Sequence, residues 1–172
     1  MLTQAFSTVR SETPDDVQAI EAVTVAAFRE APHTSHTEQH ILRALREAGA
    51  LSVSLVAECD GEVVGHVAAS KVTLSDGTPD WFGLGPVSVL PAWQGSGIGS
   101  ALMEACLAGL RERGARGCVL VGEPGYYQRF GFRSMSGLSL PGVPPEYVMV
   151  LDWSDERPQG EVAFHPAFEA TA

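Results

Sequence analysis

Long apolar runs and basic residues are both scarce in this sequence. No apolar run approaches the roughly 20 residues that a membrane-spanning helix needs, so we expect no membrane partner. Lysine and arginine together number 11 against 21 aspartates and glutamates, which gives a formal net charge of −10. Because nucleic-acid binding usually relies on a basic surface, this balance argues against a nucleic-acid partner.

Cysteine is scarce too, and the spacing of the cysteines does not match a disulfide or metal-binding pattern. Cys59, Cys106 and Cys118 lie far apart and include no CxxC pair. An odd number of widely spaced cysteines indicates reduced, buried thiols rather than a disulfide framework or a zinc site. The first ten residues lack the basic start and apolar stretch of a secretory signal. We therefore expect a cytoplasmic protein.

The length of 172 residues, with 45% hydrophobic and 19% charged residues, suits one globular domain. We assign residues 1–172 to that domain, with a core at about 6–152 and a C-terminal extension at 153–172. The N-terminal part of the sequence predicts a strand at 6–10 and a helix after Thr13-Pro14. Ser35 and Glu38 form the pattern of a capping box, which opens a second helix that closes at Gly49.

The periodicity then changes from helical to alternating. Asp60-Gly61 is a strong hairpin signal between strands at 51–58 and 62–72. A third run at 81–90 is interrupted by glycines and a proline, which predicts a bulge or bend. The remaining elements are a helix at 97–113, a strand at 117–121, a helical turn around 124–130, and strands near 146–152 and 161–165. This order predicts an α/β (α+β) domain with a single mixed, mostly antiparallel sheet flanked by helices.

The glycine-rich turn before the third helix is the most informative segment. The first turn of a helix leaves about four backbone N–H groups without partners and carries partial positive charge. Because Gly95, Gly97 and Gly99 have no side chains, a ligand can approach those amides closely. The amides can then hold a phosphate without a lysine. The segment lacks the Gly-Lys-Ser/Thr of a P-loop, and residue 100 is Ser where the dinucleotide pattern GxGxxG needs glycine.

The pattern that is present, Gln94-x-x-Gly97-x-Gly99 after a strand and Pro91, resembles the coenzyme A pyrophosphate loop of the GNAT superfamily of N-acetyltransferases. Tyr127-x-x-x-Gly131-Phe132 resembles the second hallmark of that family, one helix and one strand later. The segment from Gly122 to Phe132 and the late His165-Pro166-Ala167-Phe168 further resemble its YhbS-like branch.

The resemblance implies acetyl-CoA as cosubstrate, without a metal, and transfer of the acetyl group to a primary amine in a ternary complex. The acceptor would be an unidentified small molecule or protein, and the enzyme a monomer or homodimer. Tyr127 would protonate the departing sulfur. The family motifs place these residues at the coenzyme: Val87, Ser88, Val89, Gln94, Gly95, Ser96, Gly97, Ile98, Gly99, Ser100, Tyr127 and Phe130.

The general base is not evident from the sequence. Some relatives carry a Glu on the bulged strand, where this chain offers only Ser88. Glu123 is one candidate catalytic residue, although many relatives have Asn there. His66 and Asp80 are further candidates, and His66 is equally consistent with a hydrogen-bonded core histidine.

Several aromatic and histidine residues have two interpretations. Tyr127 is either the acid or a core aromatic on Phe130, and Tyr126 is expected to be structural. Trp81, Phe82 and Trp93 either line an acceptor cleft or pack in the core. His36 and His40 are one helical turn apart, but Thr37 stands where a metalloprotease motif requires Glu, which argues against a metal site.

Because no base is evident, a second function stays open. The domain would then be a sensor or regulatory module that binds acyl-CoA without turning it over.

Overall fold

The computed structural model describes residues 7–29, 31 and 34–172. The four helices described are α1 (Val17–Phe28), α2 (Glu38–Glu47), α3 (Ile98–Glu112) and α4 (Pro124–Tyr127). The first five strands are β1 (Ser7–Ser11), β2 (Val53–Cys59), β3 (Glu62–Lys71), β4 (Thr73–Leu74) and β5 (Trp81–Val89). The others are β6 (Gly117–Val121), β7 (Arg133–Ser134), β8 (Leu138–Ser139), β9 (Val148–Asp152) and β10 (Gly160–Ala163).

A seven-stranded sheet with the order β1-β2-β3-β5-β6-β9-β7 forms the centre of the fold. Adjacent strands of this sheet pair antiparallel, except β5 and β6, which pair parallel. The mixed, mostly antiparallel sheet flanked by helices is therefore confirmed. The sequence patterns do not predict the second, three-stranded sheet of β4, β10 and β8, because two of its strands are only two residues long.

Helices cover both faces of the large sheet, since successive strand residues point to opposite sides. On one face, Leu102 and Cys106 of α3 pack in a cluster with Val67 of β3. On the other face, Ile20 of α1 and Leu42 of α2 pack against Val56 and Ala68. The small sheet packs on this second face as well, around the fully buried Trp81.

The bend expected in the third strand run is a β-bulge in β5. Val67 pairs with Val87 and Ala69 pairs with Leu84, so two residues of β5, Gly85 and Pro86, lie opposite the single residue Ala68. A bulge bends its strand and interrupts the ladder. It directs the end of β5 away from its parallel neighbour β6.

Most element boundaries agree with the sequence within two residues, but the cap residue of α2 is not the predicted one. The helix begins at Glu38, with Thr37 as the preceding cap residue, and the predicted capping box at Ser35 is wrong. The Glu38 carboxylate instead accepts hydrogen bonds from the side-chain hydroxyls of Thr34 and Ser35, the latter at 3.3 Å. The predicted strand at 6–10 matches β1 from residue 7 onward, and residue 6 lies outside the described residues.

The three cysteines are free and buried, as predicted. Burial raises the pKa of Cys106 to about 12 and also raises that of Cys118, so both thiols stay protonated and unreactive. Among the described residues, no helix combines the length and apolar character that crossing a bilayer demands.

A partly buried polar network ties the segment after β1 to α2 and the sheet. Arg46 of α2 donates to both carboxylate oxygens of Glu12 at 3.0 and 3.2 Å, and the Ser54 hydroxyl donates to the same carboxylate. His66 lies 3.9 Å from Glu12. Burial alone would raise the pKa of Glu12, but interactions with His66, Arg46 and Ser54 outweigh it and lower that pKa to about 2.

We expect Glu12→Gln to destabilise the fold by about 1–3 kcal/mol at pH 7, because Arg46 loses a charged partner. The folded-state pKa of Glu12 lies below its ordinary value of 4.5, so this stabilisation is present above pH 4.5. It fades as the pH falls toward 2. Urea unfolding of both proteins between pH 7 and pH 3 measures the difference.

The exposed Glu104 of α3 provides the control, and Glu104→Gln should unfold like the wild type. A Glu12→Gln protein with wild-type stability at pH 7 would contradict the role assigned to the network.

Candidate active site

The site is built around a gap between two parallel strands. β5 and β6 pair only at Trp81–Gly117, Phe82–Cys118 and Gly83–Val119. Beyond these pairs, residues 84–89 of β5 and residues 120–121 of β6 diverge, and we call the space between them the gap. Its walls carry backbone groups that the sheet does not use.

The β5 wall of the gap offers the backbone of Val87 and Val89. Leu90 N–H donates to Val64 of β3 at 2.8 Å. Because alternate residues of an antiparallel strand direct their N–H and C=O to opposite edges, Ser88 faces β3 like Leu90, while Val87 and Val89 face the gap. The Ser88 side chain is only 3% exposed, which places this predicted coenzyme contact inside the sheet.

The glycine loop, residues 94–99, lies beyond β5 and leads into α3. Gly95 and Gly97 have φ angles of +78° and +90°, and an added Cβ at either would meet open space. The first helical hydrogen bond after the loop runs from Ala101 N–H to Gly97 C=O at 3.0 Å. The amides of Ile98, Gly99 and Ser100 therefore precede the intrahelical ladder and are available to an anion.

Side chains of the glycine loop hold its shape. The Gln94 amide donates to the Val89 carbonyl at 3.1 Å, and the Ser96 hydroxyl donates to the Trp93 carbonyl. The Ile98 side chain is 4% exposed and belongs to the core, so this residue can offer a ligand only its backbone. The loop is thus fixed from within, and its free groups are amides.

Tyr127 stands at the end of α4, beside the end of β6. Its ring lies so close to Gly122 that a Cβ there would come within 2.3 Å of it. Tyr127 also packs edge-on against Phe132, at 6.2 Å between ring centroids. Burial raises the pKa of Tyr127, and the neighbouring Tyr126 raises it further. The hydroxyl therefore keeps its proton at neutral pH.

The structure brings a second tyrosine to the glycine loop. An added Cβ on Gly99 would lie 3.4 Å from the Tyr126 hydroxyl. The Arg129 guanidinium stacks on the Tyr126 ring, with its central carbon 4.4 Å from the ring centroid. Its Nε also donates to the backbone carbonyl of Tyr126 at 3.0 Å. Phe130 packs against the same ring at 5.7 Å between centroids and contacts the core cluster of α3. Sequence reasoning assigned Tyr126 only a structural role and missed Arg129.

A cavity of about 390 Å³, here called the gap cavity, runs through the gap. Leu84 and Val121 line it from the two strands, Phe28 and Glu38 from α1 and α2, and Tyr127 from α4. Tyr127 belongs to the cluster on the α3 face, whereas α1 and α2 cover the opposite face. The cavity therefore connects both faces of the sheet. Val121 is 48% exposed, which is unusual for a large apolar side chain.

Glu123 lies next to this region without lining the gap cavity. Its side chain is exposed, and its backbone carbonyl accepts from Tyr126 and Tyr127 N–H, each at 3.1 Å. Together with both tyrosines it lines a second cavity of about 690 Å³, beside Pro144. A third cavity, of about 510 Å³, lies at the sheet edge beside Arg133 and contains no predicted site residue.

The other candidate bases lie elsewhere. His66 is fully buried, and its Nε2 is 2.8 Å from the Ser54 hydroxyl. Within the described part of the chain, its Nδ1 has no hydrogen-bond partner. Burial lowers the pKa of His66, so it is neutral at pH 7. Asp80 precedes β5 at the end opposite the gap and lies 3.9 Å from Arg116.

Of the residues with two interpretations, Trp81 and Phe82 are 0% and 4% exposed and pack in the core clusters. Trp93 is partly buried against the α3 cluster. His36 is exposed with a φ of +59°. Across residues 7–29, 31 and 34–172, no group of three or more potential metal ligands comes together.

Comparison with known proteins agrees with this geometry. The sequence model of the protein family described as acetyltransferase (GNAT) domain matches residues 50–134. The uncharacterized N-acetyltransferase YhbS of Escherichia coli strain K12 is 35% identical over 125 residues, covering 72% of each chain. This chain therefore belongs to the GNAT family of N-acetyltransferases. The resemblance found in the glycine loop and at Tyr127 is confirmed.

Two solved structures extend the likeness over nearly the whole chain. A GNAT family acetyltransferase from Brucella melitensis, solved in complex with acetyl-CoA, is 47% identical with a TM-score of 0.86. The match covers 96% of this chain and 99% of that one. YhbS from Escherichia coli, solved in complex with CoA, is 30% identical with a TM-score of 0.88, covering 98% and 94%.

We expect Gly97→Val to raise the dissociation constant for coenzyme A about tenfold or more, because a branched side chain would obstruct the loop amides. Isothermal titration of the protein with coenzyme A measures this. Gly77→Val is the matched control, since Gly77 also has a positive φ of +84° and open space around it, but lies in a remote turn. Equal weakening by both variants would mean that backbone strain, not the loop, is responsible.

Proposed function

We propose that this enzyme transfers an acetyl group from acetyl-CoA directly to a primary amine, in a ternary complex, in the cytoplasm. The observation that carries the proposal is the gap cavity, which links the α3 face of the sheet with the α1 and α2 face. Two substrates entering from opposite faces would meet inside the gap. Direct transfer needs both in place at once.

The residues around the gap fit acetyl-CoA. The amides of Ile98, Gly99 and Ser100 would hold the pyrophosphate, and the positive end of the α3 dipole favours its charge. Val87 and Val89 would hydrogen-bond the pantetheine arm through their backbone. The Tyr126 hydroxyl and the Arg129 guanidinium lie beside the loop and would add contacts to the phosphates.

The chemistry that acetyl-CoA supplies is a thioester, whose C–S bond breaks as the C–N bond forms, with the electron pair leaving on sulfur. Tyr127 would give that sulfur its proton, since burial keeps the hydroxyl protonated at neutral pH. An alkylammonium, with a pKa near 10.4, must lose a proton before it attacks. The exposed Glu123, which shares a cavity with Tyr127, would pass that proton to solvent.

The direct test supplies acetyl-CoA with a panel of primary amines and basic peptides. Release of free thiol, matched by mass-spectrometric detection of the acetylated amine, is the expected result. A reaction without amine gives the background. Tight acetyl-CoA binding with no acetylated product across the panel would favour the sensor module instead.

Tyr127→Phe should lower kcat by about 10²-fold or more, as removal of a general acid does, while the dissociation constant of acetyl-CoA stays similar. Steady-state kinetics and titration calorimetry measure the two quantities. Unchanged kcat would remove Tyr127 from the acid role and leave the packing interpretation.

A pair of glycine variants tests the same placement with the hydroxyl intact. Gly122→Ala would push the Tyr127 ring from its place, and a small misplacement of a catalytic group costs about 10–100-fold in kcat. Gly125→Ala, in the same segment, meets no atom within 4 Å and should turn over normally. Similar kcat values for the two variants would show that the position of the ring does not matter.

A further inference from the structure

Glu38 is a buried carboxylate that the proposed chemistry leaves without a role. It is 8% exposed and lines the gap cavity from the first residue of α2. Hydroxyls of Thr34 and Ser35 donate to its two oxygens. A carboxylate has about four acceptor sites, so these two bonds orient Glu38 and leave capacity for a further donor.

The rest of the described cavity lining carries no other charged side chain. Phe28 contributes from α1, and Phe164 and Phe168 come from the C-terminal segment with their ring centroids 5.0 Å apart. Phe164 fits against β5 because Gly83 has no side chain there; a Cβ on Gly83 would come within 2.3 Å of the ring. Its described lining is therefore an apolar chamber with four aromatic rings and one acid.

This lining selects for one kind of amine. A single ammonium group is compensated by the single carboxylate, and charge-assisted hydrogen bonds are about twice as strong as neutral ones. Aromatic walls favour a flat apolar body. A second ammonium group, as in a diamine, would be buried against phenylalanines without a partner, which is costly.

We propose that Glu38 binds the ammonium group of the acceptor, and that the acceptor is a monoamine with an aromatic or similarly apolar body. This inference rests on the proposed function, because it takes the gap cavity as the acceptor's place. The cavity volume of about 390 Å³ leaves space for one ring and a short alkyl chain beside the thioester.

Calorimetric titration tests the inference with the probe 2-phenylethylamine, added to the protein in the presence of coenzyme A. Glu38→Gln should raise its dissociation constant about tenfold or more, as loss of a charged hydrogen bond does. Gln keeps one carbonyl acceptor for the Thr34 hydroxyl, and its NH2 group can donate to the Ser35 oxygen, so both contacts with the loop are kept. Glu47→Gln, at the exposed far end of α2, should bind like the wild type.

Two further probes separate the effect of charge from that of shape. 2-Phenylethanol carries the ring without the charge, and its weaker binding should be the same in Glu38→Gln and wild type. Putrescine carries two ammonium groups and should bind at least tenfold more weakly than 2-phenylethylamine.

Equal affinity of wild type and Glu38→Gln for 2-phenylethylamine would overturn the inference. So would putrescine binding as tightly as 2-phenylethylamine, or an absence of saturable 2-phenylethylamine binding. The amine titration does not depend on turnover. Failure of the proposed function has a different signature, which is a wild-type protein that releases no thiol from acetyl-CoA with any amine.

Discussion

The separation of β5 and β6 after three paired residues is the constraint on which the site depends. The bulge at Gly85 and Pro86 bends β5, and beyond it the two strands no longer share hydrogen bonds. The backbone groups of Val87 and the N–H of Val89 are thereby left for a ligand, since the Val89 carbonyl accepts from Gln94, and a passage opens through the sheet. A continuous ladder would close that passage and keep Tyr127 apart from α1 and α2.

The elements around the gap divide the work between its two faces. On the α3 side, the glycine loop offers amides and α4 brings Tyr127 beside the end of β6. On the other side, Glu38 and a set of phenylalanines form a mostly apolar chamber. An acidic protein can hold a pyrophosphate in this way, because amides and a helix dipole supply the attraction that lysines give elsewhere. The net charge of −10 is therefore compatible with the proposed anion site.

The sequence predicts the backbone of the α3 side well because its signals are local. Gln94, Gly97 and Gly99 lie within six consecutive residues, and glycines stand at positions 95 and 97, where the loop has the positive φ that favours glycine. The Asp60-Gly61 hairpin is local in the same sense: both residues have the positive φ that such a turn needs. The bulge of β5 was also foreseeable, since glycines and proline interrupt the strand pattern.

The opposite side depends on contacts between distant parts of the chain, and the sequence does not reveal those. Glu38 has the spacing of a capping residue, yet its carboxylate lines the gap cavity. Phe168 lies 130 residues further along and lines the same cavity. His66 shows the same difficulty: its strand position suggested burial, but its tie to Ser54 and Glu12 follows from strand register.

The most direct test of the account is an NMR titration of the ¹⁵N-labelled protein with coenzyme A. We predict that the amides of Ile98, Gly99 and Ser100 shift most, together with those of Val87 and Val89 on the gap wall. Unchanged signals at these amides, with the shifts found instead around Arg133 and Arg157 in the cavity at the sheet edge, would contradict it.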